Sequence, residues 1–330
     1  MICIKESNSN KVKEIINKYN FCNGHYCYNL DLISEVKDGP YKIRNILNGV
    51  KEVTFYIVYD KDPLIVMPIE RKGNTISLLG VDEYFDYVDI IYRTDIDDSI
   101  LKEAIKKLFE TYKELGIKKI IWNYLPSDSK TKYLLSLNNY LPNKEVDNVY
   151  ISFEDYESYF NSLSRNTRQN LRKAEHRLEK NNKEYKLVTN YKNLIDNNII
   201  NQCIDIYFKR QKDKYGKSIL NQLAIKTINY STAMMKKQKG LIMALMIDNK
   251  VVSFMFGYIN LEDKSYEVPK IAIDSDFGFY SPGDVLINKA IEYFALNTDI
   301  RKLDLCRGNE IYKMRMGGTV YKTYNYSIDL

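Results

Sequence analysis

The chain has 330 residues, 45% hydrophobic and 28% charged, an ordinary globular composition that excludes a disordered or fibrous chain and gives room for two domains. Lysine and arginine total 49 against 43 acidic residues, and a net charge of +6 is too small by itself to mark a nucleic-acid binder. No run approaches the ~18 apolar residues of a membrane span, and the start Met1-Ile2-Cys3-Ile4-Lys5-Glu6-Ser7 has no basic stretch followed by an apolar one, which predicts a cytoplasmic protein. The five cysteines (Cys3, Cys22, Cys27, Cys203, Cys306) are scattered without a Cys-x-x-Cys pair, so reduced thiols are expected and a zinc site is not. The 29 tyrosines read as compositional drift, not as a stacking platform.

In chain order, Val53–Tyr59, Leu64–Ile69, Ile76–Leu79 and Val88–Tyr92 are rich in β-branched and aromatic residues and read as strands, with turns at Asp60-Lys61-Asp62-Pro63 and Arg71-Lys72-Gly73-Asn74. Apolar residues recur at helical spacing from Ile100 to Leu115, and Gly116 is placed as a stop. A strand at Lys119–Tyr124, a short helix at Thr131–Leu137 and a strand at Val146–Phe153 complete the first half. The second half has helical segments at about Leu194–Lys212 and Ala224–Lys239, then a hairpin of Leu241–Ile247 and Val251–Tyr258 about Asp248-Asn249-Lys250. A strand at Ser265–Ile273, a helix at Gly283–Leu296, a strand at Lys302–Cys306 and a last strand at Val320–Ile328 follow. Hairpin, strand, helix, strand and closing strand thus occur twice, which predicts two α+β domains, 1–150 and 151–330.

Three segments could carry chemistry. In Ser162–Leu178, at ~100° per residue, Leu163, Thr167, Leu171, Ala174 and Leu178 share one stripe while Arg165, Arg168, Arg172 and His176 line the opposite face. That cationic face is either solvated and partly neutralised by Glu175 and Glu179, or a seat for an anionic ligand, for which guanidinium forks are suited. Phe279-Tyr280-Ser281-Pro282-Gly283-Asp284 is either an ordinary turn or a helix start that offers N–H groups to a phosphate, with the Asp284 charge opposing it. Asp304-Leu305-Cys306-Arg307-Gly308-Asn309-Glu310-Ile311-Tyr312-Lys313 brings acids, a phenol and a cation together, or is a β-bulge with surface charges. His25 between Cys22 and Cys27 lacks a further ligand at a metal-site spacing, and no nucleophile elbow accompanies the two histidines, so neither a metal centre nor a triad hydrolase is expected.

In this order the segments resemble the CelD/BcsL-type acetyltransferases of the GNAT superfamily, whose nearer relatives are the FemABX aminoacyltransferases. The resemblance rests on Met67-Pro68-Ile69, on Leu78-Leu79-Gly80 followed by Asp86-Tyr87-Val88-Asp89, on Ser162-Leu163-Ser164 with Arg165, Arg168, Leu171 and Arg172, on Tyr280-Ser281-Pro282-Gly283, and on Arg307 through Lys313. It implies two GNAT-like domains, each a mixed, mostly antiparallel sheet flanked by helices, with acetyl-CoA or another acyl-CoA as co-substrate and no metal. Tyr280, Ser281, Pro282 and Gly283 then form the donor-binding loop, although the superfamily prefers Arg/Gln-x-x-Gly-x-Gly/Ala there and this chain has one glycine beside Asp284. Arg165, Arg168 and Arg172 are expected on the substrate, Glu310 or Asp304 as general base, and Tyr312 or Lys313 on the leaving thiolate or oxyanion. The acceptor implied is an amine or hydroxyl on a small molecule or glycan precursor. A Fem-like enzyme that takes aminoacyl-tRNA, and a binding module without catalysis, are the alternatives.

Overall fold

The computed structural model describes residues 1–22, 29, 31–34, 49–79, 86–215 and 230–330. His25, Cys27, Gly80 and the stretch 224–229 of the expected second helix lie outside them. In chain order the first half contributes β1 (Ile2–Glu6), α1 (Ser9–Lys18), β2 (Glu52–Tyr59), β3 (Pro63–Lys72), β4 (Thr75–Leu78), β5 (Ile91–Tyr92), α2 (Asp98–Glu114), β6 (Lys119–Pro126), α3 (Lys130–Leu137) and β7 (Lys144–Ser152). The second contributes α4 (Tyr156–Ser162), α5 (Arg165–Lys180), β8 (Tyr185–Thr189), α6 (Asn197–Tyr215), α7 (Tyr230–Lys236), β9 (Leu241–Ile247), β10 (Lys250–Asn260) and β11 (Ser265–Ile273). A 3-10 turn at Ser275–Tyr280 leads into α8 (Pro282–Asn297), then β12 (Lys302–Arg307), α9 (Ile311–Arg315) and β13 (Thr319–Asp329).

The expected strand over Val88–Tyr92 shrinks to Ile91–Tyr92. The Asp89 carboxylate accepts from the Ile90 and Thr131 amides, and Ile90 N–H also reaches the Thr131 hydroxyl, so local side chains take the donors that a ladder needs. Elements β1, α1, α4, β8 and α9 are additions to the sequence reading, and each has ten residues or fewer.

The chain divides into two compact units, Met1–Asp147 with Tyr321–Leu330, and Asn148–Val320. In the first, β1, β2, β3 and β4 pair antiparallel in that order, β4 pairs parallel with β6 after the α2 crossover, and β6 pairs antiparallel with β13. In the second, β8, β9, β10 and β11 pair antiparallel, β11 pairs parallel with β12 after the α8 crossover, and β12 pairs antiparallel with β7 from Asn148 onward. The two sheets follow one plan, but the strand that closes each comes from the other half of the sequence.

Each crossover helix buries an apolar stripe on its sheet. Leu101, Ala104, Ile105, Leu108 and Tyr112 of α2 are inaccessible, and the Tyr112 ring meets Tyr56 edge-on at 5.1 Å. On α8 the equivalents are Leu286, Ala290, Ile291 and Phe294, with Phe294 edge-on to Tyr266 of β11 at 5.5 Å. The α5 stripe is placed as its spacing predicts: Leu163, Thr167, Leu171, Ala174 and Leu178 are all buried.

Candidate active site in the second unit

Strands β11 and β12 are joined only at their starts, where Ser265, Tyr266 and Glu267 face Lys302, Leu303 and Asp304. Strand β11 runs on to Ile273 and β12 to Arg307, so beyond Glu267 and Asp304 the pair opens. The backbone of β12 turns away through Cys306 and Gly308, which have φ of 56° and 94°. The register against β7 shifts between Asp304 and Arg307, the bulge that the sequence had left as one possibility. Asp304 steadies it, its Oδ1 accepting the Cys306 N–H at 2.8 Å. A Cβ on Gly308 would meet only the Glu310 carboxylate, at 2.6 Å from Oε2, which can swing aside, so it is the φ of 94° that favours glycine there.

At the opening lies a cleft of about 380 Å³, walled by Ile271–Ile273 of β11, Ser281–Asp284 at the start of α8, Tyr312 and Arg315 of α9, and Arg210 of α6. Ser281 takes a left-handed conformation (φ 49°, ψ 51°), Pro282 occupies the first helical position, and the Ser281 hydroxyl makes no capping bond. The Gly283 and Asp284 N–H groups of the first turn have no acceptor within their own helix, which makes this wall favourable to an anion. Arg315 answers the charge that Asp284 brings, with Nη2 donating to both carboxylate oxygens at 2.8 and 2.6 Å.

Of the sequence-named groups, Ser281, Pro282, Gly283 and Tyr312 meet in this cleft. Burial, with the neighbouring Glu310 carboxylate second, pushes the Tyr312 phenol up to about 12, so it is a proton donor at neutral pH. Asp304 sits at the vertex, buried and level with Glu267, and the in-register row Tyr150, Asp304, Glu267, Tyr258 crosses four strands on the sheet face opposite the buried Tyr266 and Leu303. Asn260 Nδ2 donates to Glu267 Oε1 at 3.2 Å. The sequence reading missed Glu267; an acid between the apolar Tyr266 and Val268 of a predicted strand was the available signal.

The other groups lie elsewhere. Glu310 is the exposed residue before α9; burial is the largest single influence and raises its pKa, but the hydrogen bond and charge of Lys313, a backbone amide and the Arg210 charge together leave it below the usual value. Lys313 is 2% exposed, and its Nζ donates to the Cys306, Arg307 and Gly308 carbonyls at 3.2, 2.6 and 3.0 Å while pairing with Glu310 at 2.9 Å. An ammonium has three protons, so this one is occupied by the β12 to α9 turn and has none for a thiolate. The Tyr280 hydroxyl accepts from Asn181 Nδ2 at 3.0 Å, which ties the ring to α5. Arg168, expected to serve a ligand, instead donates from Nη1 to the Asn161 and Leu163 carbonyls at 2.6 Å each, holding the corner between α4 and α5. Arg172 stacks over the Phe160 ring at 5.3 Å, and Arg165 is exposed; none of the three arginines walls the cleft. Among the described residues no cluster of His, Cys, Asp and Glu could hold a metal ion, and no helix is long and apolar enough to cross a membrane.

Residues 165–314 match the model of the Acetyltransferase (GNAT) domain family, a match that falls wholly within the second unit. The fold is similar to that of FemX (TM-score 0.58, 10% identity, covering 92% of this chain and 96% of that one). It is also similar to L-PGS from Bacillus licheniformis (TM-score 0.57, 10% identity, 98% and 92% covered). A third likeness is to the C-terminal domain of a protein assigned as a lysylphosphatidylglycerol synthetase from Agrobacterium fabrum (TM-score 0.54, 10% identity, 91% and 92% covered). A search of curated proteins finds no match to the sequence. The molecule therefore has a GNAT-like fold of mixed sheets flanked by helices, with an acetyltransferase-type domain in its second unit.

Proposed function

We propose that the chain is a cytoplasmic acyltransferase of the CelD/BcsL type, in which the C-terminal domain binds an acyl-CoA and passes its acyl group to an amine or hydroxyl of a small molecule or a sugar or cell-envelope precursor. The observation that carries this reading is the parting of β11 and β12 at Glu267 and Asp304, with a cleft at the opening that is walled by the start of α8. A thioester donor carries phosphates, and this wall has two free amide donors, the Arg210 guanidinium and an aspartate already matched by Arg315.

In the reaction the acceptor attacks the thioester carbonyl, its proton passes to a carboxylate, and the carbon–sulfur bond breaks. Asp304 with Glu267 at the vertex, or Glu310 at the rim, supplies the carboxylate. The Tyr312 O–H, un-ionised at neutral pH, is the donor available to the departing thiolate. Removal of such a base costs about 10²–10⁴-fold in rate.

The test is a thermal melt with and without coenzyme A, where a ligand at 100 times its Kd adds about 2.7 kcal/mol. Gly283→Val should abolish the shift, because a Cβ there already meets Ile273 Cγ2 at 3.2 Å and valine adds bulk to the cleft wall; the apo melt of the variant is measured alongside. A full shift in the variant removes the cleft as the donor site. A second reading, a Fem-like enzyme fed by aminoacyl-tRNA, is favoured by the likeness to FemX and the exposed Arg165. Titration with aminoacyl-tRNA against acetyl-CoA separates the two.

A further inference from the structure

Two neighbouring cations of α6 are used differently. Lys209 Nζ donates to Asp274 Oδ1 and to Asp276 Oδ2, each at 2.8 Å. Arg210, the next residue, is exposed, walls the cleft and has no hydrogen-bond or ion-pair partner among the described residues. Asp274 is the hub of the Lys209 contact: its N–H donates to the Val252 carbonyl at 2.8 Å, its Oδ1 accepts from the Asp276 N–H at 3.3 Å, and its Oδ2 faces Lys250 Nζ at 3.2 Å. Two lysines and two aspartates balance in this cluster, so the Lys209 charge is spent within it and the Arg210 charge is not.

Asp274 follows β11 directly, and Asp276 lies in the 3-10 turn that runs on into Ser281-Pro282-Gly283, so one end of the bridge stands on the backbone that builds the cleft wall. The other end stands on a helix that buries Ile200, Cys203, Ile204 and Tyr207 and is also tied by Gln202, whose Oε1 accepts the Val251 N–H at 2.8 Å. Gln202 and Lys209 are seven residues apart, about two turns, and therefore share one side of α6. Two ties on one side set the rotation of the helix about its axis, and with it the direction of Arg210, which lies about 100° round from Lys209. Across the cleft the Tyr312 phenol, raised by burial and then by Glu310, is drawn back by the Arg210 charge, which puts the guanidinium within electrostatic reach of α9.

We infer that Lys209 is a positioning residue: bridged to Asp274 and Asp276, it holds α6 so that Arg210 meets the phosphates of a ligand seated at the start of α8. Arg210 touches the ligand and Lys209 acts through it. The identity of the ligand rests on the acyl-CoA reading, whereas the bridge and its placement beside the cleft do not.

The experiment is isothermal titration of the full chain with coenzyme A, with the melt of each variant recorded beside it. Arg210→Ala should weaken binding by about tenfold or more, the loss of one charged hydrogen bond to phosphate. Lys209→Met, which keeps the stem and removes the ammonium, should weaken it by a similar factor, and the double variant by no more than the larger single loss, because both changes remove one contact. Lys250→Met breaks a bond to the same Asp274 without touching α6, so it should leave affinity within about twofold even where it lowers the melt. An unchanged affinity in either single variant, a double loss equal to the product of the two, or a loss in Lys250→Met equal to that in Lys209→Met overturns the inference. If the wild-type chain takes no coenzyme A, the acyl-CoA reading fails, and the same series with inorganic pyrophosphate decides the bridge: no binding there, or any of those three results, overturns it.

Discussion

Replacement of Lys313 by methionine separates a structural role for this residue from a chemical one. Methionine keeps most of the apolar stem and removes the ammonium, so the Cys306, Arg307 and Gly308 carbonyls lose one shared donor and Glu310 loses its counter-ion. The Cys306 bond is buried, whereas those to Arg307 and Gly308 are partly open to water that can replace the lost donor. One carbonyl stranded out of water costs about 1–3 kcal/mol, and hydrogen bonds to a charged group are worth about 1.5–3 kcal/mol each before that replacement. Glu310 adds little, because its side chain is 57% exposed and such pairs are worth about 0–1 kcal/mol. A net loss of about 3 kcal/mol is expected, or roughly 6–12 °C in Tm for a unit of this size. The single tryptophan, Trp122, lies in the first unit, so its fluorescence is the wrong probe; circular dichroism melts with amide hydrogen exchange across Lys302–Met316 are the right ones. Glu310→Gln serves as the control and should shift the melt by no more than about 2–4 °C. If Lys313→Met melts within about a degree of wild type and exchange at Cys306–Gly308 is unchanged, the ammonium is not a structural clamp, and its assignment to the leaving group regains its basis.

Two further outcomes follow from side chains that turned out to be occupied. Arg168→Ala should cost about 1–2 kcal/mol in chemical denaturation, since a half-buried guanidinium closes two carbonyls at the corner between α4 and α5, while Arg165→Ala should leave stability unchanged; equal effects would show that the corner does not depend on Arg168. Asp274 has a pKa below its ordinary 3.8: burial raises it, but hydrogen bonds from Lys209 and Lys250 prevail, so its stabilisation is present above about pH 4 and is lost as pH falls through the lower folded value. Asp274→Asn should flatten the acid limb of the Tm profile below pH 4, and an acid limb of unchanged steepness would count against the pair.

What the sequence made legible was what repeats along it. The α5 stripe was readable because a period of 3.6 reports which side faces a core, and the Leu241–Tyr258 hairpin because two continuous apolar runs flank Asp248-Asn249-Lys250; all seven residues of β9 are buried. Which sheet a closing strand joins has no such signal: β7 and β13 look alike in composition, and only long-range pairing assigns β7 to β12 and β13 to β6. The start of α8 was readable at Pro282-Gly283 because a proline beside a glycine marks a helix start. The carbonyl partners of Lys313 left no mark in the sequence. Their convergence depends on the left-handed turns at Cys306 and Gly308, and one of these is not a glycine. The bonds of Arg168 to the Asn161 and Leu163 carbonyls were hidden for the same reason, since side-chain identity does not reveal a bond to backbone.

The duplicated plan raises the question of how many donor sites the chain has, and the starts of the two crossover helices answer it. Both α2 and α8 follow a strand and present a positive dipole end, so geometry alone would allow an anion at each. At α2 the place is taken by carboxylates: Asp97 is the capping residue, Asp98 opens the helix and is paired with Lys130, and Asp95, just upstream, is forked by Arg93 at 2.9 and 2.6 Å. A phosphate approaching α2 meets the exposed Asp97 carboxylate with no cation paired to it among the described residues. At α8 the single carboxylate, Asp284, is held by Arg315, and Arg210 lines the same cleft. Like charges about 4 Å apart repel by about 1 kcal/mol in water and by more as the site dries, which is enough to separate the two helix starts by tenfold or more in affinity. If the proposed function holds, isothermal titration of coenzyme A should give one site per chain, abolished by Gly283→Val and untouched by Asp97→Asn; two sites of similar affinity would show that the acidic start of α2 does not repel the donor.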